Sequence, residues 1–218
     1  MKKGLTELVF ILDKSGSMSG LERDTIGGFN SMIKKQKKEK GEANVTTALF
    51  SNGTEFIHDR VDIKEVKNLT DREYFVGGCT ALLDSIGICI DKMVNVQRRL
   101  PEKERAEKVI FVIITDGYEN ASCEYTYDKI KKMITIEQER YDWEFLFLGA
   151  NIDAVAEGAR FGIREDRAVQ YKGDGYGTAL NYSVVADAVA DIRVFGSAGR
   201  VDGSWKDRIE KDVKKRGK

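Results

Sequence analysis

The chain has 218 residues, of which 41% are hydrophobic, so it can enclose one large core. Lysine and arginine together number 36, as do aspartate and glutamate, and this zero net charge excludes an overall field that attracts nucleic acid or an anionic membrane. The longest apolar runs are far below the ~20 residues that span a bilayer, and the first residues lack a signal-peptide pattern. We expect no membrane or nucleic-acid partner, one domain over residues 1–200, and a charged, solvated tail over residues 201–218.

The first predicted elements are a strand, a helix and a hairpin. A continuous apolar run at residues 8–12 is typical of a strand that is buried in a parallel sheet. Residues 26–33 then show the apolar period of a helix. Residues 45–63 hold two strand-like runs joined at Asn52-Gly53, a dipeptide that tolerates the positive φ angles of a tight turn. The hairpin predicts one antiparallel strand at the edge of the sheet.

The rest of the chain alternates helices with strands. Helical periods occur at residues 83–94 and from about Asp153, and buried strand-like runs occur at residues 109–114 and 145–148. Residues 167–195 read as a short strand, a glycine-rich loop and a long helix. This alternation predicts a Rossmann-like, three-layer α/β sandwich, in which helices cover both faces of a mostly parallel central sheet.

The cysteines and the histidine exclude several kinds of site. Cys79, Cys89 and Cys123 are an odd number at no metal-binding spacing, which argues against a disulfide framework and favours a reducing, cytoplasmic setting. We interpret Cys79 and Cys123 as small buried side chains rather than a redox switch. His58 is the only histidine, and it is interpreted as structural, since one imidazole leaves most zinc sites and catalytic triads incomplete.

Polar residues follow the buried runs where parallel sheets bind ligands, outside the carboxyl ends of the strands. Asp13, Ser15 and Ser17 alternate directly after the first run, and Asp116 follows the run at residues 109–114. Thr80 lies in a glycine-containing loop just before a predicted helix. These two carboxylates and three hydroxyls form a set of oxygen ligands without sulfur or nitrogen. Such a set predicts a site for Mg²⁺ or Mn²⁺.

Three segments resemble, in order, the parts of the metal-ion-dependent adhesion site (MIDAS) of von Willebrand factor type A (VWA) domains. They are DKSGSMSG, GGCTALLDS and ITDGYEN. The resemblance extends from about residue 7 to residue 195, and an antiparallel edge strand is part of the VWA fold. The short layout, including FLGANIDAVAEGARFGI, is more similar to stand-alone bacterial or phage members than to extracellular adhesion modules.

The resemblance implies a role for each residue of the motif. Ser15 and Ser17 bind the cation directly, Thr80 joins them in the ligand-competent state, and Asp13 and Asp116 act largely through water. Because hydroxyl ligands carry no formal charge, an incoming carboxylate completes the coordination with a large electrostatic gain. The implied protein is a non-enzymatic interaction module that binds an Asp or Glu of a partner protein. A chaperone-like ATPase is one implied partner, and the resemblance also implies movement of the C-terminal helix.

Other interpretations of the same residues stay open at this point. A Mg²⁺-dependent phosphotransferase or hydrolase would use Asp13 as its nucleophile, although such enzymes need a second acid where this chain has Ser15. A scaffold with a degenerate metal site would not respond to a chelator. Turn and capping chemistry alone also places Asp, Ser and Gly after a strand, but it does not account for three matching segments.

Overall fold

The fold is built around one central sheet. The computed structural model describes residues 1–195 and 203–217. The strands of the described residues are β1 (Lys2–Asp13), β2 (Glu42–Phe50), β3 (Thr54–Asp62), β4 (Ala106–Thr115), β5 (Glu144–Ala150) and β6 (Ala168–Tyr171). They form one sheet in the order β3-β2-β1-β4-β5-β6. Neighbouring strands are parallel except for β2 and β3, so the predicted antiparallel edge strand is confirmed.

Helices cover both faces of the sheet. Those of the described residues are α1 (Glu22–Gln36), α2 (Leu82–Arg99), α3 (Tyr127–Tyr141), α4 (Ala154–Arg160), α5 (Gly175–Phe195) and α6 (Asp207–Arg216). One core layer contains side chains of α1, α5 and α6, and the other contains side chains of α2, α3 and α4. Successive residues of β1 serve the two layers, since Phe10 belongs to the first and Ile11 to the second. The predicted three-layer α/β sandwich is confirmed.

The strand order places the ends of β1 and β4 side by side. From β1 the chain moves to β2 on one side of it, and later returns to β4 on its other side. Leu12 pairs with Ile114, so both strands end at the same level of the sheet. Ligands of open α/β sheets bind outside such a reversal of strand order, at the carboxyl ends. The topology therefore brings the loops after β1 and β4 to one place.

The turn of the hairpin differs from its prediction. Neither Asn52 nor Gly53 has a positive φ, and the N–H of Ser51 donates to the carbonyl oxygen of Gly53 at 3.1 Å. Asn52 instead uses its side chain, because its Oδ1 accepts a hydrogen bond from the N–H of Cys79 at 2.6 Å. This contact joins the hairpin to the loop before α2.

The end of the chain also differs from expectation. Residues 207–216 form α6 rather than a solvated tail, with Ile209 buried and Val213 packed against the core. Charged residues surround these two apolar residues, which is why the sequence resembles a solvated segment. The domain boundary predicted at residue 200 falls in residues 196–202, outside the described residues, and it stays a prediction. None of the helices in the described part of the chain has the length and apolar content of a membrane span.

Two polar residues are buried near the hairpin, away from the carboxyl ends. Glu7 is fully buried, and its Oε1 accepts hydrogen bonds from Arg60 Nη2 at 2.7 Å and Asn44 Nδ2 at 2.9 Å. His58 Nδ1 lies 3.0 Å from Thr47 Oγ1, and burial lowers the pKa of this imidazole. His58 is therefore part of the packing between β2 and β3, in agreement with its structural interpretation.

Candidate metal centre

The first loop of the site begins at Asp13, the last residue of β1. The N–H of Ser15 donates to Asp13 Oδ1 at 2.7 Å, and Ser15 Oγ lies 3.0 Å from Ser17 Oγ. Asp13 and Ser15 are buried, whereas Ser17 is exposed. Alternate side chains of this loop therefore meet in one place, which is open to solvent at Ser17.

The second loop follows β4 and contributes Asp116. Ser17 Oγ donates to Asp116 Oδ1 at 2.5 Å, and Thr115 Oγ1 donates to Asp13 Oδ2 at 2.6 Å. Both carboxylates are thus connected to the same set of hydroxyls. Thr115 was not among the predicted site residues, because its role depends on its position beside the end of β1. Only the pairing register of the two strands reveals that position.

The third loop brings Thr80 beside the other two. The N–H of Gly16 donates to the carbonyl oxygen of Gly78 at 3.0 Å, which joins the first and third loops. A methyl group built on Gly117 would lie 3.4 Å from Ser17 Oγ and 3.7 Å from Thr80 Oγ1, so both hydroxyls border the same point. Together with the contacts of Asp13, Ser15 and Asp116, this places all five predicted residues in one cluster.

Two further side chains hold the Thr80 loop against the Asp116 loop. Asn120 Oδ1 accepts from the N–H of Thr80 at 2.9 Å, and the N–H of Asn120 donates to the carbonyl oxygen of Thr80 at 3.1 Å. The Glu119 carboxylate accepts from the N–H of Leu83 at 2.8 Å and from two N–H groups of its own loop. Neither Asn120 nor Glu119 was among the five predicted site residues.

The two cysteines beside these loops are exposed, although the sequence predicts that they are buried. Cys79 and Cys123 are exposed, whereas Cys89 is buried in the core. The N–H of Cys123 donates to Asp84 Oδ2 at 2.9 Å, so Asp84 connects the start of α2 with the loop after β4. The backbone N–H groups of Cys79 and Cys123 thus bind side chains of neighbouring loops, while both thiols lie at the surface.

Burial raises the pKa of both site carboxyls. For Asp13, hydrogen bonds from Thr115 and Ser15 oppose the effect of burial. For Asp116, the hydrogen bond from Ser17 opposes it, and the nearby Asp13 adds to the rise in pKa. Ionising both carboxyls is therefore unfavourable unless positive charge is placed beside them.

No basic side chain of the described residues supplies that charge. Asp13 and Asp116 have no ion-pair partner among them, and Lys14, which follows Asp13, pairs with Glu55 at 2.7 Å instead. Unpaired buried carboxylates are costly, and a divalent cation is a common way to compensate them. This charge balance distinguishes the cluster from an ordinary polar turn.

The cluster fits a hard divalent cation. Asp13, Ser15, Ser17, Thr80 and Asp116 offer oxygen ligands alone, as Mg²⁺ and Mn²⁺ prefer. Adjacent ligands of an octahedral Mg²⁺ are about 2.9 Å apart, and the hydroxyls of Ser15 and Ser17 are separated by 3.0 Å. The described residues contain no group of three or more His, Cys, Asp or Glu side chains that could hold a metal, so this site depends on its hydroxyls.

Several buried polar atoms near α5 have no hydrogen-bond partner among the described residues. They include the hydroxyls of Tyr171, Tyr182 and Thr178 and the side-chain amide of Asn181. The hydroxyl of Tyr74, by contrast, donates to the carbonyl oxygen of Asp13 at 2.5 Å. This hydrogen bond from Tyr74 holds the backbone of Asp13 in place at the end of β1.

Comparisons with known proteins concern the fold. No protein-family model and no curated protein sequence matches the chain. Among solved structures, proximal thread matrix protein 1 from the mussel byssus, with a zinc-occupied MIDAS motif, is 14% identical with a TM-score of 0.57, covering 86% of this chain and 46% of that one. A VWA protein from Catenulispora acidiphila is 12% identical with a TM-score of 0.53, covering 85% and 42%. The chain has the VWA fold.

A third similar structure is the ArnB paralog VWA2 from Sulfolobus acidocaldarius. It is 16% identical with a TM-score of 0.51, and the match covers 86% of this chain and 45% of that one. The chain therefore spans less than half the length of each of these three proteins. The VWA fold that the three motif segments imply is confirmed, whereas a complete MIDAS and the stand-alone bacterial type stay predictions.

Proposed function

We propose that the chain is a divalent-metal-dependent interaction module that binds an Asp or Glu side chain of a partner protein. The observation that carries the proposal is the pair of buried carboxylates, Asp13 and Asp116. They share one set of hydroxyls and have no cationic partner among the described residues. The VWA fold and the zinc-occupied MIDAS of the mussel byssus protein support it. A chaperone-like ATPase stays a predicted partner.

Each residue of the cluster has a distinct role in this proposal. Ser15, Ser17 and Thr80 supply hydroxyl ligands, while Asp13 and Asp116 balance the charge and orient water. Bound Mg²⁺ or Mn²⁺ offers a position for one further anionic oxygen. The exposure of Ser17 marks the side from which a partner's carboxylate approaches. Glu119 and Asn120 keep Thr80 in reach of the other ligands.

The contacts of Asp13 favour binding over phosphoryl transfer. Asp13 is 1% exposed, and both of its carboxylate oxygens accept hydrogen bonds, from the N–H of Ser15 and from Thr115 Oγ1. A nucleophile must reach the phosphorus of its substrate, for which a carboxylate that is almost fully buried and engaged at both oxygens is poorly placed. Incubation with p-nitrophenyl phosphate and Mg²⁺ tests the point. Turnover that Asp13→Asn abolishes would restore the enzyme hypothesis.

Titration calorimetry of chelator-treated protein with MgCl₂ or MnCl₂ tests the metal site. We expect saturable binding by the wild type and a loss of affinity of about 10–100-fold or more in Ser17→Ala. Ser19→Ala is the matched control, because Ser19 is an exposed serine of the same loop whose side chain is not part of the cluster. No saturable binding by the wild type, or equal affinities for the two variants, would contradict the proposal.

A further inference from the structure

Two exposed aromatic rings border the candidate metal site. Phe75 is 62% exposed, and Lys14 Nζ lies 4.5 Å from the centre of its ring, which places Phe75 beside the end of β1. Tyr118 is 50% exposed and follows Asp116 by two residues. Its hydroxyl accepts a hydrogen bond from the N–H of Asp153 at 3.2 Å, so it lies between the ends of β4 and β5.

Neither ring is needed for the core. Tyr74 is buried and Val76 packs against the core, whereas Phe75 between them belongs to neither core layer. Tyr118 is likewise outside both layers. Lys14 has an acidic partner in Glu55, so it does not need the ring of Phe75 to balance its charge. Exposed aromatic side chains next to a binding site are typical of surfaces that another protein covers.

We infer that Phe75, Tyr118 and the metal cluster form one docking surface for a protein segment in which large apolar residues flank an Asp or Glu. The inference rests on the proposed function, because the cation is what attracts the acid. Neighbouring strands are about 4.8 Å apart, and an extended segment advances about 3.3 Å per residue, so a few residues of such a segment extend from the end of β1 to the ends of β4 and β5. An apolar residue one or two positions from the acid therefore reaches a ring on either side.

Charge complementarity favours this partner over a strongly charged one. Lys14 is neutralised by Glu55, and the two site carboxylates offset the overall charge of the cation, while its uncharged hydroxyl ligands leave it able to attract one further anionic oxygen. The surface thus has one position for an anionic oxygen between two apolar rings. A segment with several acids gains little from such a surface, whereas one acid between apolar residues matches it.

Capped tripeptides of sequence Leu-Asp-Leu, Ser-Asp-Ser and Leu-Asn-Leu are suitable probes, with binding measured by NMR titration at saturating Mg²⁺. We expect Leu-Asp-Leu to bind about tenfold more tightly than Ser-Asp-Ser, since it buries two apolar side chains. Leu-Asn-Leu lacks the anionic oxygen and is expected to bind most weakly. A double variant with Phe75→Ser and Tyr118→Ser should lose the advantage of leucine while keeping its affinity for Mg²⁺.

Tyr141→Ser is the matched control, because Tyr141 is 53% exposed at the end of α3, just before the amino end of β5 and so away from the carboxyl ends that carry the cluster. Phe75→Ser alone leaves the Tyr118 hydrogen bond intact and serves if the double variant does not fold. The inference is overturned if the wild type binds Mg²⁺ but binds both Asp peptides equally or not at all, or if the variants retain the preference for leucine. Failure of the wild type to bind Mg²⁺ would overturn the proposed function together with this inference.

Discussion

Replacing Glu119 by alanine is expected to loosen the contact between the Thr80 loop and the Asp116 loop. The Glu119 carboxylate accepts hydrogen bonds from the N–H of Leu83 at 2.8 Å and from two N–H groups of its own loop at 2.8 and 2.7 Å. Leu83 lies in the first turn of α2, three residues after Thr80. Glu119 therefore joins the start of α2, and with it the Thr80 loop, to the Asp116 loop.

Ser122 Oγ also donates to the Glu119 carboxylate, at 2.8 Å, so the expected cost follows from four hydrogen bonds. A hydrogen bond to a charged group contributes ~1.5–3 kcal/mol, but Glu119 is only half-buried, so water replaces part of the loss. We expect Glu119→Ala to lower the free energy of unfolding by about 2–4 kcal/mol, which a domain with ~5–15 kcal/mol of stability tolerates. Glu119→Gln keeps one acceptor oxygen and should lose about half as much.

Urea unfolding measures this change, and calorimetric titration with Mg²⁺ measures its consequence for the site. We expect metal affinity to fall about 10–100-fold in Glu119→Ala, as for other residues that position ligands. Glu124→Ala, at an exposed acid of the same loop, should stay within about 0.5 kcal/mol of the wild type. Equal stability of the two variants, with unchanged metal affinity, would refute the positioning role of Glu119.

Three further predictions concern buried polar groups. Arg60→Ala leaves the buried Glu7 carboxylate without its ion-pair partner and should lower the free energy of unfolding by about 3–5 kcal/mol, as measured with urea. Glu7→Gln, which removes the buried charge itself, should lower it by less. Burial lowers the pKa of His58, so the unfolded state binds more protons near pH 6, and stability present above about pH 6.5 is lost as the pH falls. Unfolding curves between about pH 7.5 and 5.5 should show a smaller loss in His58→Gln. Tyr74→Phe removes a hydrogen bond and should cost about 1 kcal/mol, whereas Tyr182→Phe, which removes an unpartnered hydroxyl, should leave stability equal or higher. A larger loss of stability in Glu7→Gln than in Arg60→Ala, in His58→Gln than in the wild type on acidification, or in Tyr182→Phe than in Tyr74→Phe would contradict the corresponding account.

The sequence predicts the metal cluster because its residues adjoin recognisable elements. Asp13 and Asp116 each follow a run of large apolar residues, and this change from apolar to polar is visible in a few positions. Parallel strands then bring their carboxyl ends together whatever the details of packing. The same reasoning does not identify Asn52, Thr115 and Asn120, since each forms its hydrogen bond with a residue that is distant along the chain.

Two helices were not among the predicted elements for a different reason. In α3, Ile130 and Ile134 are the fully buried apolar residues, and the segment around them is rich in charged side chains. In α6, Ile209 alone is fully buried. Helices that fully bury only one or two apolar side chains have a weak apolar pattern in the sequence, and their packing against the rest of the fold identifies them.

Anomalous diffraction from crystals soaked in MnCl₂ locates a bound cation without any assumption about its ligands. We expect one strong peak within bonding distance of the hydroxyls of Ser15 and Ser17, with Thr80 and Asp116 around it, and no such peak in Ser17→Ala crystals soaked at the same concentration. A peak only at other surface carboxylates, or none in the wild type at millimolar Mn²⁺, would contradict a metal-dependent interaction site in this chain.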